Sequence, residues 1–128
     1  MKQELYIHFN EILDQFSLPN WFHPNSCVLC ICNSFGEIIF ITKNCVSFYG
    51  YTADEIKHKL EFGFFPPDDF DKHINRFIAL FNNIGVEYSF KKKVLSKHGS
   101  YVYTDSIART IYSDYLDEVL LFSFSRKI

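Results

Sequence analysis

The side chains in this 128-residue chain that could do chemistry are four cysteines, five histidines and a pair of adjacent aspartates. Cys27, Cys30 and Cys32 form a C-x-x-C-x-C run, with Cys45 further on, and four thiols suffice for a tetrahedral zinc site or two disulfides. The spacers argue against both. Val28, Leu29 and Ile31 read as a buried strand, not as the Gly-rich or polar turn of a zinc knuckle. On a strand, Cys30 and Cys32 share one side while Cys27 takes the other. The reading is core packing, with no metal site and no disulfide. Asp68-Asp69 has the composition of an acid/base dyad, but neighbouring carboxylates at a helix start point apart, and capping accounts for them. His8, His23, His58, His73 and His98 are scattered, and neither a Gly-x-Ser-x-Gly elbow nor a Gly-rich phosphate loop occurs. No catalytic residue is assigned, and the chain reads as a non-enzyme.

The composition excludes further classes. With 48% hydrophobic and 22% charged residues, the chain is long enough for one globular domain and too short for two of ordinary size. Thirteen Lys and Arg against fifteen Asp and Glu leave a net charge of -2, whereas a nucleic-acid module carries a basic face. Lys91-Lys92-Lys93 reads as a solvated strand surface, so no direct nucleic-acid contact is expected. No apolar stretch reaches the length of a membrane span, and the charge-punctuated start lacks a signal-peptide core, which points to a cytoplasmic protein without a membrane contact. The outlying quantity is the aromatic content, 19%: the rings either fill the core or line a cavity.

The elements that would position these groups follow from spacing. Leu5, Phe9, Ile12, Leu13 and Phe16 recur at helical period, predicting an amphipathic helix that Pro19 and Pro24 end. Cys27 to Cys32 and Glu37 to Thr42 read as strands around an Asn33-Ser34-Phe35-Gly36 turn. Asn44 is placed to cap a short helix that Gly50 stops. Thr52-Ala53-Asp54-Glu55 is a capping box, with a second short helix, IKHKL, expected after it. Pro66-Pro67-Asp68-Asp69 opens a longer helix with Phe70, Ile74, Phe77, Ile78 and Phe81 on one face and Gly85 as its C-terminal cap. Three strands follow, Val86 to Ser96, Tyr101 to Tyr112 and Val119 to Arg126. The fold class is α+β: a five-stranded antiparallel sheet whose first two strands are separated from the other three by a helical excursion. The N-terminal helix has two uses for its apolar face, sealing the second side of the sheet or pairing with a copy of itself.

The series Asn44-x-x-x-x-Tyr49-Gly50-Tyr51-Thr52-x-x-Glu55, then Pro66-Pro67-Asp68-Asp69, then Lys97-His98-Gly99-Ser100-Tyr101 resembles the PAS sensory domain family in order and spacing. The resemblance covers about residues 25–128, with 1–24 as an N-terminal helix and loop. Two turns depart from the family pattern, at Asn33-Ser34-Phe35-Gly36 and at His98, where an Asp is usual.

The resemblance implies a sheet in the order 2-1-5-4-3 and a ligand pocket between the sheet and its covering helices. Phe40, Phe48, Tyr49, Phe77, Phe90, Tyr103, Phe122 and Phe124 are the candidate pocket rings. It implies a sensory and interaction module of the kind found in bacterial signalling and transcription regulation. Such a module is expected to be a homodimer through Leu5, Phe9, Ile12 and Phe16, and to relay to an output domain such as a histidine kinase or a DNA-binding domain. Family members hold haem, flavin, carboxylates or lipids, or nothing. A flavin adduct is not expected, since Glu61-Phe62-Gly63-Phe64-Phe65 lacks the reactive Cys and Asn44-Cys45 lies too early. His73 is the haem-axial candidate, and the alternative places it at the edge of the apolar stripe with its ring tip in water. Otherwise no cofactor is expected. The competing class is a small cone-shaped α+β isomerase or hydratase, which needs an acid or base in the pocket. Asp105 and Arg109 are its charged candidates, and an outward-facing ion pair explains them more cheaply.

Overall fold

The computed structural model describes residues 2–14, 20–21, 23 and 25–128, with side chains from residue 8 onward. Helix α1 (Lys2–Leu13) precedes strands β1 (Cys27–Cys32) and β2 (Ile38–Ile41). Two short helices, α2 (Cys45–Tyr49) and α3 (Ala53–Ile56), two 3-10 turns (Glu61–Phe64 and Pro67–Asp69) and α4 (Phe70–Asn82) come next. Strands β3 (Tyr88–Leu95), β4 (Tyr101–Ser113) and β5 (Glu118–Lys127) complete the chain. All pairings are antiparallel and the order is β2-β1-β5-β4-β3, as the resemblance implied. Among the described residues no helix is long and apolar enough to cross a membrane.

Side-chain alternation divides the sheet into two faces with different contents. On one, Val28, Cys30, Cys32, Ala108 and Leu121 meet Phe48, Tyr49, Ile56, Phe65 and Leu80 of the helical excursion. On the other, Leu29, Ile31, Ile107, Leu120, Phe122 and Phe124 meet Phe9 and Ile12 of α1. Both faces are therefore buried, which is why β1 reads as an uninterrupted apolar run.

Of the two uses open to α1, the structure takes the first. Phe9 is 2% exposed, with its ring edge-on to Phe40 and Phe122 at centroid distances of 5.5 and 5.8 Å. His8 Nε2 lies 2.7 Å from Ser113 Oγ and ties the helix to the end of β4. Phe9 and Ile12, expected at a dimer interface, are spent inside the chain, because the sheet face beneath them carries rings of its own to cover. Phe16 and the side chain of Leu5 lie outside the described residues.

Several local expectations are revised. The capping box forms, with Thr52 Oγ1 accepting from Glu55 N and Glu55 Oε1 accepting from Thr52 N, but the helix it opens is the box itself and ends at Ile56. Residues beyond it are captured by the sheet edge: Lys59 O accepts from Ile38 N at 2.9 Å, and His58, at φ 71°, donates to Ile38 O at 2.8 Å. IKHKL cannot be helical while its backbone groups serve the end of β2. Asn44 does not cap α2; its Nδ2 donates to Cys27 O at 2.7 Å and its Oδ1 accepts from Thr42 Oγ1, tying α2 to β1. Helix α4 is rotated from its expected setting. His73 and Leu80 are its buried residues, Phe77 packs on Phe62, and Phe70, Ile74 and Ile78 remain exposed. Its cap is Asn83, while Gly85, at φ 85°, donates to Thr110 O in the following turn.

Phe9→Ala removes a ring wedged between two others and leaves a cavity above Phe122. It is expected to lower the unfolding free energy by about 3 kcal/mol, seen as a lower urea midpoint, with the mass in solution unchanged.

Candidate functional site

The row of residues that β1, β5 and β4 present to the helices is unusually small. Register places Cys30 beside Ser123 and Ser123 beside Ala108, and Val28 beside Ser125 and Ser125 beside Ser106. The hydroxyls satisfy one another: Ser106 and Ser125 lie 2.7 Å apart, Thr104 and Ser106 3.2 Å, and Ser123 Oγ donates to Cys30 O at 3.4 Å. Small side chains there leave space that the rings of the excursion only partly fill.

That space is a cavity of about 40 Å³ bounded by Val28, Cys30, Ile38, Ile41, Tyr49, Tyr51, Ile56, Phe64, Phe65 and Val94, with Glu61, Lys92 and Ser125 as its polar members. A second void of about 20 Å³ lies beyond it, against His73, Arg76, Phe77, Leu80 and Phe90, and shares Glu61 and Phe65 with the first. Glu61 and Phe65 are therefore the wall between the two. Phe65 in turn is stacked on the His73 ring at 3.9 Å.

The electrostatics of the wall follow from burial. Cys32 Sγ donates to Glu61 Oε2 at 2.8 Å, and the Cys30 thiol lies 4.0 Å from it. Hydrogen bonding to Cys30, burial and the Glu61 carboxylate together push the Cys32 thiol well above the ordinary range. Burial raises the Tyr49 phenol strongly, with Cys30 and Glu61 adding to the effect. Burial lowers the Arg76 guanidinium to about 10, against the pull of Glu61, and its carbon sits 3.7 Å over the Phe90 ring. Burial likewise holds the His73 imidazole down at about 4, helped by Arg76 and Lys92 and opposed by Asp69. Arg76 donates to His73 Nδ1, which leaves Nε2 as the N–H of the neutral ring, buried and without a hydrogen-bond partner. His73 is 2% exposed, so its ring tip is not in water.

Of the candidate pocket rings, Tyr49 lines the first cavity, and Phe77 and Phe90 line the second. Phe48 packs in the same core under the Lys127 ammonium without reaching the cavity wall. Phe40, Phe122 and Phe124 face α1 instead, and Tyr103 is 53% exposed with Lys93 over its ring. One residue of register decides each of these, since adjacent strand positions point to opposite faces. Asp105 pairs with Lys91 and Arg126 at 3.0 and 3.1 Å. Arg109 stands opposite Phe122. Both therefore belong to the face away from the cavity. Glu61, Lys92, Arg76 and Phe65 were not singled out from the sequence. The legible signal was the repeated small-x-small spacing of Cys30-x-Cys32, Ser106-x-Ala108 and Ser123-x-Ser125.

The cofactors that the resemblance brings with it can be tested against this space. A porphyrin or an isoalloxazine needs volume on the order of several hundred Å³, and the voids are about 40 and 20 Å³. His73 is committed to Phe65 and Arg76, and the Cys45 thiol donates to Tyr51 O at 3.5 Å. Neither group fits.

Comparison with known proteins adds the following. The model of the PAS fold family matches residues 38–122. No curated protein sequence matches the chain. Similar solved structures include the PAS domain of a Colwellia psychrerythraea protein, with TM-score 0.69, 20% identity, and coverage of 80% of this chain and 86% of that one. The PAS-B domain of Drosophila melanogaster Cycle with bound ethylene glycol has TM-score 0.71 and 14% identity over 79% and 99%. The PAS domain of the Cronobacter turicensis RpfR quorum-sensing receptor in complex with C12:0 has TM-score 0.65 and 18% identity over 84% and 98%.

The His73 environment predicts a pH dependence. Its folded value of about 4 lies below the ordinary 6.5, so the unfolded chain binds the proton more readily and stability rises with pH across that window. The contribution is present above about pH 6.5 and is lost as pH falls toward 4, with a size on the order of 3 kcal/mol. Urea unfolding near pH 4.5 and pH 7 should show a smaller difference in His73→Phe than in the parent.

Proposed function

This chain belongs to the PAS family, and from that premise we propose that it is a sensory module whose signal is a small amphipathic molecule, a fatty acid, bound between the sheet and α3. The observation that carries the reading is the cavity's make-up: a wall of aliphatic and aromatic side chains with one ammonium set into it. Lys92 is 8% exposed, lines the cavity, and holds its Nζ 5.9 Å from the Phe65 ring centroid. A carboxylate head beside Lys92 would gain a charge-assisted hydrogen bond away from water, while the alkyl chain replaces voids with contacts. The C12:0 complex of the RpfR domain, which shares this fold, supports that ligand class.

The cavity, at about 40 Å³, is too small for a long chain, so entry requires movement. Phe65 and Glu61 line both voids, and turning the Phe65 ring off His73 would merge the spaces. That movement also alters the setting of α4 through His73 and Phe77, which provides the relay: an occupied pocket and an empty one differ at the helix surface. Family membership supports an output domain of histidine-kinase or DNA-binding type as the recipient and supports a sensory over a catalytic role. The acid or base candidates for a cone-shaped enzyme, Asp105 and Arg109, lie on the face that α1 covers.

Dodecanoate titrated into the protein should bind at one equivalent by calorimetry and raise the melting temperature. Lys92→Met should weaken binding by roughly tenfold or more, the value of a charge-assisted hydrogen bond. Absence of heat and of stabilisation in the parent protein would refute the fatty-acid reading.

A further inference from the structure

We propose that Cys30, Cys32 and Glu61 form a binding site for a borderline-soft divalent cation of the zinc class, set in the cavity wall with one coordination position open to the cavity. The inference stands apart from the fatty-acid reading and does not depend on it.

Three donor atoms converge from two elements. Cys30 and Cys32, two apart on β1, project from the same face, and the 3-10 turn Glu61–Phe64 brings a carboxylate to them. The donor atoms Cys30 Sγ, Cys32 Sγ and a Glu61 oxygen all lie within 4.8 Å of one another. The two sulfurs are 4.0 Å apart, against about 3.8 Å for two thiolates on a tetrahedral ion with metal–sulfur bonds of about 2.3 Å. Glu61 Oε2 stands 2.8 Å from Cys32 Sγ, closer than two ligands of one ion sit, so binding requires it to withdraw by less than about 1 Å. Its side chain is only partly buried and Glu61 is the first residue of a short turn, so that movement is local.

Core packing alone explains two buried thiols; it does not explain the carboxylate oxygen brought to 2.8 Å from one of them. Two sulfurs and a carboxylate oxygen are a donor set that a zinc-class ion takes. Both thiol protons leave to solvent, two thiolates and one carboxylate bind the ion, and the remaining charge of minus one faces Lys92, which lines the same cavity. Three protein ligands leave a tetrahedral ion one position, and the cavity that Cys30 and Glu61 line, of about 40 Å³, has room for a water or a ligand donor there.

The test uses the full chain, kept reduced, titrated with Co²⁺ alone. The expected result is one equivalent bound, with a sulfur-to-cobalt charge-transfer band and the intense visible bands of a tetrahedral site, both abolished by equimolar Zn²⁺. Cys32→Ser, checked for its fold by circular dichroism, should lose the charge-transfer intensity, and Glu61→Gln should bind more weakly. Cys27→Ser, on the opposite face, should match the parent. Binding heats in buffers of different ionisation enthalpy should show proton release. No charge-transfer band in the parent, a band that survives Cys32→Ser, or a band lost in Cys27→Ser would each overturn the proposal. Dodecanoate binding is measured without metal, so failure of either reading is distinguishable from failure of the other.

Discussion

Strand β5 runs between β1 and β4, and its register with both decides what each face of the sheet can hold. With Ser123 between Cys30 and Ala108, and Ser125 between Val28 and Ser106, one face is a strip of small side chains. The intervening positions, Phe122 and Phe124, then stand on the other face beside Ile31, Leu29 and Ile107. A shift of one residue in β5 would exchange these sets, putting rings where the cavity is and serines beneath α1. The cavity and the seat of α1 both descend from that pairing.

The helical excursion is matched to the small strip. It contributes rings at Phe48, Tyr49, Tyr51, Phe62, Phe64 and Phe65, and edge-on contacts among them hold them apart rather than collapsed onto the sheet. The result is two small voids that share Glu61 and Phe65 in their lining. The charged groups admitted there come from three separate elements: Glu61 from a 3-10 turn, Lys92 from β3 and Arg76 from α4. Burial shifts the titration of His73 and Arg76 in the direction that disfavours their charge. Any ligand or ion that brings compensating charge therefore acts on groups already displaced from their ordinary behaviour.

Much of the fold was legible because the signals were local. Gly50 at φ 79° ends α2, the Thr52–Glu55 box caps α3, and Gly99 at φ 88° closes the turn before β4, each at the place its residue type suggested. The failures also have local causes with distant partners. IKHKL has helical composition, yet its backbone is taken by Ile38. Asn44 has the composition of a cap, yet its amide is drawn to Cys27 O. The apolar stripe of α4 predicts burial of Phe70, Ile74 and Ile78, yet the sheet offers small residues only to the side carrying His73, Phe77 and Leu80. The site was legible in part, through Tyr49, Phe77 and Phe90, and missed where a charged residue lines a cavity, since Lys92 in a run of three lysines looks like surface.

The amino-acid sequence by itself determined the class of the fold, the antiparallel pairing, the turn positions and the sharing of one side by Cys30 and Cys32, because these rest on spacing along the chain and on residue-specific backbone preferences. Only the tertiary structure decided which side of each strand faces the helices, that α1 covers its own sheet, and that Glu61 meets the two thiols. Those outcomes depend on register between strands far apart in the chain and on the volume left between packed layers, and neither quantity is carried by any local stretch of residues.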